Sequence, residues 1–293
     1  MSNKPTLLVT GGSGYLGRHL TPRAAETCLV YATYGTDPER IKAGIPESLD
    51  VTSRRDVLDL IARLSPRAII HCAAANPGSD EGMMMQVNAA GSRYVAEGAA
   101  AVGARLVHVS SDTVHDGQHA PYDDEAPSAP INLYGRSKAA AEAAVAEVYP
   151  AAAIVRTSLI YGLYEMDRGT SGFAERLKAG RPLFLFRDVL RQPVWTESLV
   201  TALLKLAFEV MDFAGILNVV GNQELSRETF GRRMLEWWQV EERHLARSGL
   251  AADLPHPPPL DLRLTTAKAE KVLRMSFPGV DDVLTRASQA RKS

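Results

Sequence analysis

Apolar and polar positions in the first half of the chain alternate between two regimes. Short continuous apolar runs, Thr6–Thr10, Cys28–Thr33, Ala68–Cys72, Leu106–Ser110 and Ala152–Ser158, read as strands buried on both faces. Between them lie alanine-rich stretches of helical character, and Val57, Leu58, Ile61 and Leu64 recur at helical spacing within Arg54–Leu64. Further helices are predicted from about residue 15 to Glu26, over Glu81–Val102 and over Leu133–Glu147. Pro22 should kink or shorten the first, and Pro66 closes the second. Strands alternating with helices predict an α/β fold with a doubly wound parallel sheet.

From Tyr161 onward the rhythm breaks, which marks a second, smaller lobe. Thr196–Met211 reads as an apolar helix, Ile216–Val220 as a strand, and Arg227–Trp238 as a helix capped by Ser226. The expected division is a cofactor domain over 1–158 that recurs at about 191–220, with the lobe built from 159–190 and 221–293. Asp116–Pro130 reads as an exposed loop of the kind that frames a site, and Leu254–Leu260, with its four prolines, as a rigid connector.

Composition narrows the classes. The 293 residues carry 33 basic and 34 acidic side chains, a net charge of −1, with no block of like sign, so a nucleic-acid partner is disfavoured. No apolar run approaches the roughly 18 residues of a membrane span. Met1–Thr10 reads as a polar start and a strand, not a signal sequence, so the expected location is the cytoplasm. Cys28 and Cys72, the two cysteines, read as reduced core thiols, and no acidic or His/Cys cluster suggests a metal. The oligomeric state is not written in these residues, and a homodimer stays open.

The segment Thr10-Gly-Gly-Ser-Gly-Tyr-Leu-Gly17 follows a strand and opens a helix. Gly11, Gly14 and Gly17 let the chain turn sharply, approach a pyrophosphate and pack helix on strand, while the helix N-terminus offers N–H donors. A nicotinamide dinucleotide is the expected cofactor. No acid stands at the end of the second strand, which reads Tyr31-Ala-Thr-Tyr34, so the usual ribose carboxylate of NAD enzymes is missing. Arg18 is placed to reach a 2′-phosphate, against the alternative of a solvated helix arginine. NADP is therefore preferred to NAD.

Tyr134 and Lys138 stand four residues apart on one helix face, and Ser110-Ser111-Asp112 lies at the carboxyl end of the fourth strand, where open parallel sheets place their sites. An ammonium beside a phenol favours the phenolate, so Tyr134 could exchange a proton with a carbonyl whose oxygen the Ser111 hydroxyl holds.

Together, Thr10–Gly17, Asp50-Val51, His71-Cys-Ala-Ala74, Val87-Asn88, Ser110-Ser-Asp112, Tyr134-Gly-Arg-Ser-Lys138 and Val155-Arg-Thr-Ser-Leu-Ile-Tyr-Gly162 resemble the extended short-chain dehydrogenase/reductases. Ser110–Gly117 with Pro121-Tyr122, Pro130 and Asn132-Leu-Tyr-Gly135 is similar to the dTDP-4-dehydrorhamnose reductase group, and that group is itself similar to the regulatory beta subunit of methionine adenosyltransferase. The resemblance implies a Rossmann-type fold. It implies that Gly14, Tyr15 and Leu16 contact the pyrophosphate, Asp50 and Val51 the adenine, and Ala73, Ala74 and Val109 the ribose and nicotinamide side. Tyr34, at the second strand's end, goes with the cofactor side. Ser111, Tyr134 and Lys138 match the catalytic trio, Asp112 a position near substrate, and Thr157–Tyr161 the hinge into the lobe.

Departures bear on the substrate. Thr113, Val114 and His115 replace the group's usual Tyr-Val-Phe, and Leu159 replaces an aromatic on which a sugar could stack. Thr113 occupies the place of the glutamate that sugar dehydratases need, which argues against dehydration. His115 is a candidate polar contact or a loop histidine without function, and Arg191 a phosphate contact or a structural salt bridge. The expected activity is reduction of a keto sugar, nucleotide-linked, with a cofactor-binding regulatory subunit and an NAD-dependent epimerase as the competing readings.

Overall fold

The computed structural model describes residues 4–292. In chain order its principal elements are β1 Thr6–Thr10, α1 Tyr15–Ala25, β2 Leu29–Tyr34, β3 Ile45–Ser48, α2 Arg54–Leu64, β4 Ala68–His71, α3 Gly91–Val102, β5 Arg105–Val109, α4 Leu133–Val148, β6 Ala153–Arg156, α5 Arg168–Lys178, α6 Thr196–Phe208, β7 Gly215–Asn218, α7 Arg227–Trp237, α8 Ala267–Leu273 and α9 Val280–Lys292. The seven strands form one sheet in the order β3-β2-β1-β4-β5-β6-β7, and every neighbouring pair is parallel.

Strand periodicity explains why the apolar runs are continuous. Leu7 and Val9 point into the core beneath α1 and α6, whereas Leu8 between them enters the opposite core against α2 and α3. Ile70 and Ile69, Val107 and Leu106, and Val155 and Ile154 divide in the same way. The order reverses between β1 and β4, and the loops leaving those two strands meet there. That switch point is where doubly wound sheets bind ligands.

Several expectations change. Helix α1 runs through Pro22 to Ala25. Strand β3, Ile-Pro-Glu-Ser, is an additional edge strand, the position in which a proline without an amide proton is tolerated. The long helix before β5 is interrupted: an α turn at Glu81–Met84 and a π-helical stretch at Met85–Ala90 precede α3. Asp116–Pro130 is tied down rather than freely exposed. Asp124 is buried and accepts from the Asn218 amide (2.7 Å), Asn218 Nδ2 donates to the Tyr122 carbonyl (3.2 Å), and the Tyr122 hydroxyl accepts from the backbone of Gly117, Gln118 and His119. Cys28 is buried, but Cys72 lies just beyond β4 and is half-buried; both are free thiols.

The lobe consists of small pieces. Leu183–Phe186 pairs in parallel with Ala246–Gly249, and Leu190–Arg191 pairs antiparallel with Leu225–Ser226. Leu177, Leu185 and Leu235 fill one of its cores, and Tyr161, Phe230 and Met234 another. The Ser226 hydroxyl caps α7 by accepting from the Thr229 amide. Ala269, Leu273 and Phe277, expected in the lobe, pack instead into the sheet core beside α6.

Candidate active site

At the switch point the glycines have steric reasons for being there. Gly11 has φ +69°, and a Cβ on it would lie 2.7 Å from the Ala73 backbone. A Cβ on Gly17 would lie 2.3 Å from the Gly11 carbonyl oxygen, so α1 can start this close to its own strand only with glycine there. Gly14 caps α1 without any side-chain hydrogen bond, and no acidic residue occupies the first turn. The first-turn amides therefore face outward with the positive end of the helix, a cradle that fits a pyrophosphate. Ala73 borders this turn on one side, with Ala74 next in the chain, and Tyr34 ends β2 on the other. Asp50 and Val51 follow β3; Asp50 Oδ1 accepts from Thr52, and Val51 packs where a Cβ on Gly91 would sit 3.0 Å away.

The second half of the site comes from the ends of β5 and α4. Asn132 caps α4 by accepting from the Gly135 amide (2.7 Å), which fixes the turn carrying Tyr134. A Cβ on Gly135 would lie 2.1 Å from the Thr113 carbonyl oxygen, so this helix is pressed onto the short 3-10 turn Asp112–Val114. Lys138 is buried, and its Nζ donates to the Val109 carbonyl at 2.7 Å. Burial lowers its pKa to about 8. Burial and the nearby Asp112 charge raise the Tyr134 phenol to about 12, with the Ser111 hydroxyl pulling the other way. Tyr134 is thus protonated at neutral pH, the form required to give a proton to a carbonyl oxygen.

Ser111 Oγ accepts from Thr113 Oγ1 (2.9 Å) and donates to Asp112 Oδ1 (3.3 Å). Asp112 Oδ2 accepts from Ser158 Oγ at 2.6 Å and lies 3.7 Å from Arg191 Nε. Ser111, Asp112, Tyr134 and Lys138 are therefore joined by Arg191, from much later in the chain.

Comparison with known proteins narrows the family. Residues 5–289 match the RmlD substrate binding domain family. The chain belongs to this family. It is 32% identical over 267 residues to a dTDP-4-dehydrorhamnose reductase of Mycobacterium tuberculosis, which spans 86% of this chain and 82% of that protein. It is also 28% identical over 275 residues to methionine adenosyltransferase 2 subunit beta of Xenopus laevis, 90% of this chain and 81% of the relative. Among solved structures, dTDP-4-dehydrorhamnose reductase of Bacillus anthracis in complex with NADP matches with a TM-score of 0.80 at 25% identity, covering 98% of each chain.

Two candidates in this RmlD-family chain sit differently from expectation. His115 is fully buried, stacks on Tyr122 with ring centroids 4.0 Å apart, and its Nε2 lies 3.3 Å from Arg156 Nη1. An arginine only donates, so this nitrogen accepts and the ring is neutral; burial and the Arg156 charge lower its pKa to about 4. His115 holds the loop and is not presented to a substrate. Arg18 is not a free helix arginine either: it forms an ion pair with Glu165, and its Nη1 donates to the Ser13 carbonyl at 2.8 Å. To meet a 2′-phosphate it must exchange Glu165 for that group.

Asn88 is the residue whose role sequence reasoning missed. Fully buried in the π-helical stretch, it accepts from the Ala75 amide (2.7 Å) and donates to the Ala75 carbonyl (3.1 Å) and to Ser137 Oγ (2.8 Å). It ties the loop after β4 to the Tyr134 helix. A π turn often marks a functional position, but a Val-Asn-Ala sequence carries no sign that the helix widens there. A second missed group is the buried pair of Arg156 with Glu142, which Ser110 Oγ joins at 2.6 Å.

Proposed function

We propose that this protein is an NADPH-dependent reductase of a nucleotide-linked 4-keto-deoxysugar. One observation carries the reading: Ser111, Tyr134 and Lys138 lie together at the carboxyl end of the sheet, beside a glycine cradle shaped for a dinucleotide. Family membership supports it, as do relatives named dTDP-4-dehydrorhamnose reductase, one of them solved in complex with NADP.

When bound, a reduced nicotinamide supplies the hydride for the carbonyl carbon. Ser111 turns its hydroxyl from Asp112 to the substrate oxygen and holds it against Tyr134. The Tyr134 phenol then gives its proton to that oxygen as charge develops there. Lys138, charged below about pH 8, stabilises the phenolate left behind and orients the ribose. Its Nζ is held in place by the Val109 carbonyl.

Purified protein is mixed with NADPH and a panel of dTDP-4-keto-6-deoxysugars while absorbance at the nicotinamide band is followed. Stoichiometric NADPH consumption with one of them is the expected result. The likeness to methionine adenosyltransferase 2 subunit beta favours a second reading, a cofactor-binding subunit without turnover. NADPH binding with no consumption across the panel would overturn the first reading in favour of that one.

A further inference from the structure

Arg18 connects the glycine turn to the lobe. It stands near the start of α1, and its Nη1 donates to the Ser13 carbonyl at 2.8 Å, so the guanidinium lies against the turn itself. That turn is fastened to the end of β2. The Gly11 amide donates to Thr33 Oγ1 at 3.0 Å and the Ser13 amide to the Thr33 carbonyl at 3.4 Å. The end of the second strand is where a dinucleotide fold meets the 2′ position of the adenine ribose. Arg18 is therefore placed beside that position, although β2 itself ends in the uncharged Thr33 and Tyr34.

Another edge of the guanidinium is taken by Glu165, on the loop between Tyr161 and α5. Its carboxylate pairs with Arg18 Nη2 and lies 3.4 Å from Arg18 Nε and 3.9 Å from His19 Nε2. Burial pushes the Glu165 pKa up, but the hydrogen bond and charge of Arg18, and then the charges of His19 and Lys42, more than offset it and leave the carboxyl below its ordinary value. Lys42 belongs to the exposed loop after β2, so the carboxylate reaches over the turn toward the ribose side.

The two partners differ in exposure. The Arg18 side chain is 9% exposed and that of Glu165 36%. Leaving a buried guanidinium without an anion is unfavourable, whereas a partly exposed carboxylate can turn into water. The loop backbone need not follow it, because the Tyr15 hydroxyl donates to the Glu165 carbonyl at 3.0 Å. NAD carries a hydroxyl at the 2′ position, which leaves the ion pair as it is. NADP carries a phosphate there, and the same guanidinium edge cannot serve both anions.

We propose that Glu165 is a cofactor-specificity residue: its carboxylate occupies the Arg18 guanidinium in place of a 2′-phosphate, and so holds down the preference of this protein for NADP over NAD. The inference deepens the cofactor reading of the site and rests on it. Glu165 acts by competition for Arg18 and takes no part in proton transfer. A lobe residue 147 positions along the chain from Arg18 thus adjusts a choice usually made at the end of the second strand.

Wild type, Glu165→Gln, Arg18→Met and the double variant are titrated calorimetrically with NADP and with NAD, without substrate. Glu165→Gln keeps the size of the side chain and an oxygen for Arg18 but loses the charge. It is expected to tighten NADP about 10-fold, the scale of a hydrogen bond to a charged group, and to leave NAD within about twofold. Arg18→Met is expected to weaken NADP by about 10-fold or more with NAD again unchanged. In that background Glu165→Gln should tighten NADP less than it does in wild type, since there is no guanidinium left to compete for. An equal gain with and without Arg18 overturns competition. So does unchanged NADP affinity in Glu165→Gln, or an Arg18→Met variant that binds NADP as tightly as wild type. A Glu165→Gln variant that melts lower and loses NAD together with NADP also overturns the proposal, because Glu165 would then be an anchor of the loop. A wild type that binds neither dinucleotide overturns the cofactor reading itself, whereas binding of both that ignores Glu165 overturns this inference alone.

Discussion

Tyr134 holds its proton more firmly than a free phenol, because its environment is buried and Asp112 lies near. That suits an acid in a reduction, and it makes the residue's contribution measurable. Tyr134→Phe is expected to lower kcat by about 10²- to 10⁴-fold, the range for a positioned general acid, with NADPH affinity held near wild type. A rate equal to wild type in stopped-flow NADPH oxidation would remove Tyr134 from the mechanism. Lys138 can be read through stability. Its folded-state pKa of about 8 lies below the ordinary lysine value, so between about pH 8 and 10.4 the unfolded chain binds more protons than the folded one. Stability contributed by this group therefore rises with pH across that window, by about 3 kcal/mol in total, and is constant below it. Lys138→Met should flatten that rise in urea midpoints measured from pH 7.5 to 10. The pair Tyr134 and Lys138 was legible as a spacing. The direction of each pKa was not, since both follow from burial that only the packed helix creates.

Between elements, distances are set by glycines. Gly135 lets α4 rest on the 3-10 turn that follows Ser111, and an added methyl would meet the Thr113 carbonyl oxygen at 2.1 Å. Gly135→Ala must push helix and turn apart. A misplacement on the order of 1 Å can cost about 100-fold, so kcat should fall by that order while the fold survives, as circular dichroism will check. An alanine variant at wild-type rate would mean that the two elements give way without disturbing the site. The same scale holds the Glu142–Arg156 pair. Glu142 on α4 accepts from Arg156 Nε and Nη2 and from Ser110, while Arg156 also donates to the Ala126 carbonyl and Ser128 Oγ. Breaking such a buried pair leaves an uncompensated cation, so Glu142→Ala should destabilise by about 3–5 kcal/mol. Hydrogen exchange should speed up first in the 116–130 loop, and uniform acceleration across the sheet would contradict the local anchor. The composition of that loop suggested exposure. What binds it down, Asn218 and Arg156, lies far along the chain, where local composition carries no trace.

For the molecule as a whole, the periodicities located six of the seven sheet strands, because burial on both faces writes itself into continuous apolar runs. Strand β3 escaped, since an edge position with a proline and exposed side chains leaves no hydrophobic signature. The glycine turn and the trio were readable because backbone geometry and helix spacing demand particular residue types.

Strand β7 pairs with β6 across a gap in sequence that contains α5 and α6, so the sheet closes only after residue 218 has been made. During synthesis β6 waits with one row of amides and carbonyls unpaired, a template for the same strand of another nascent chain. A fragment ending at residue 158 keeps the glycine turn, Tyr134 and Lys138 yet leaves that margin permanently open. It is expected to precipitate on expression, whereas the full chain, which also brings Ala269, Leu273 and Phe277 onto the sheet core, should stay dispersed. Equal recovery of both in the supernatant would show that the margin is protected in some other way.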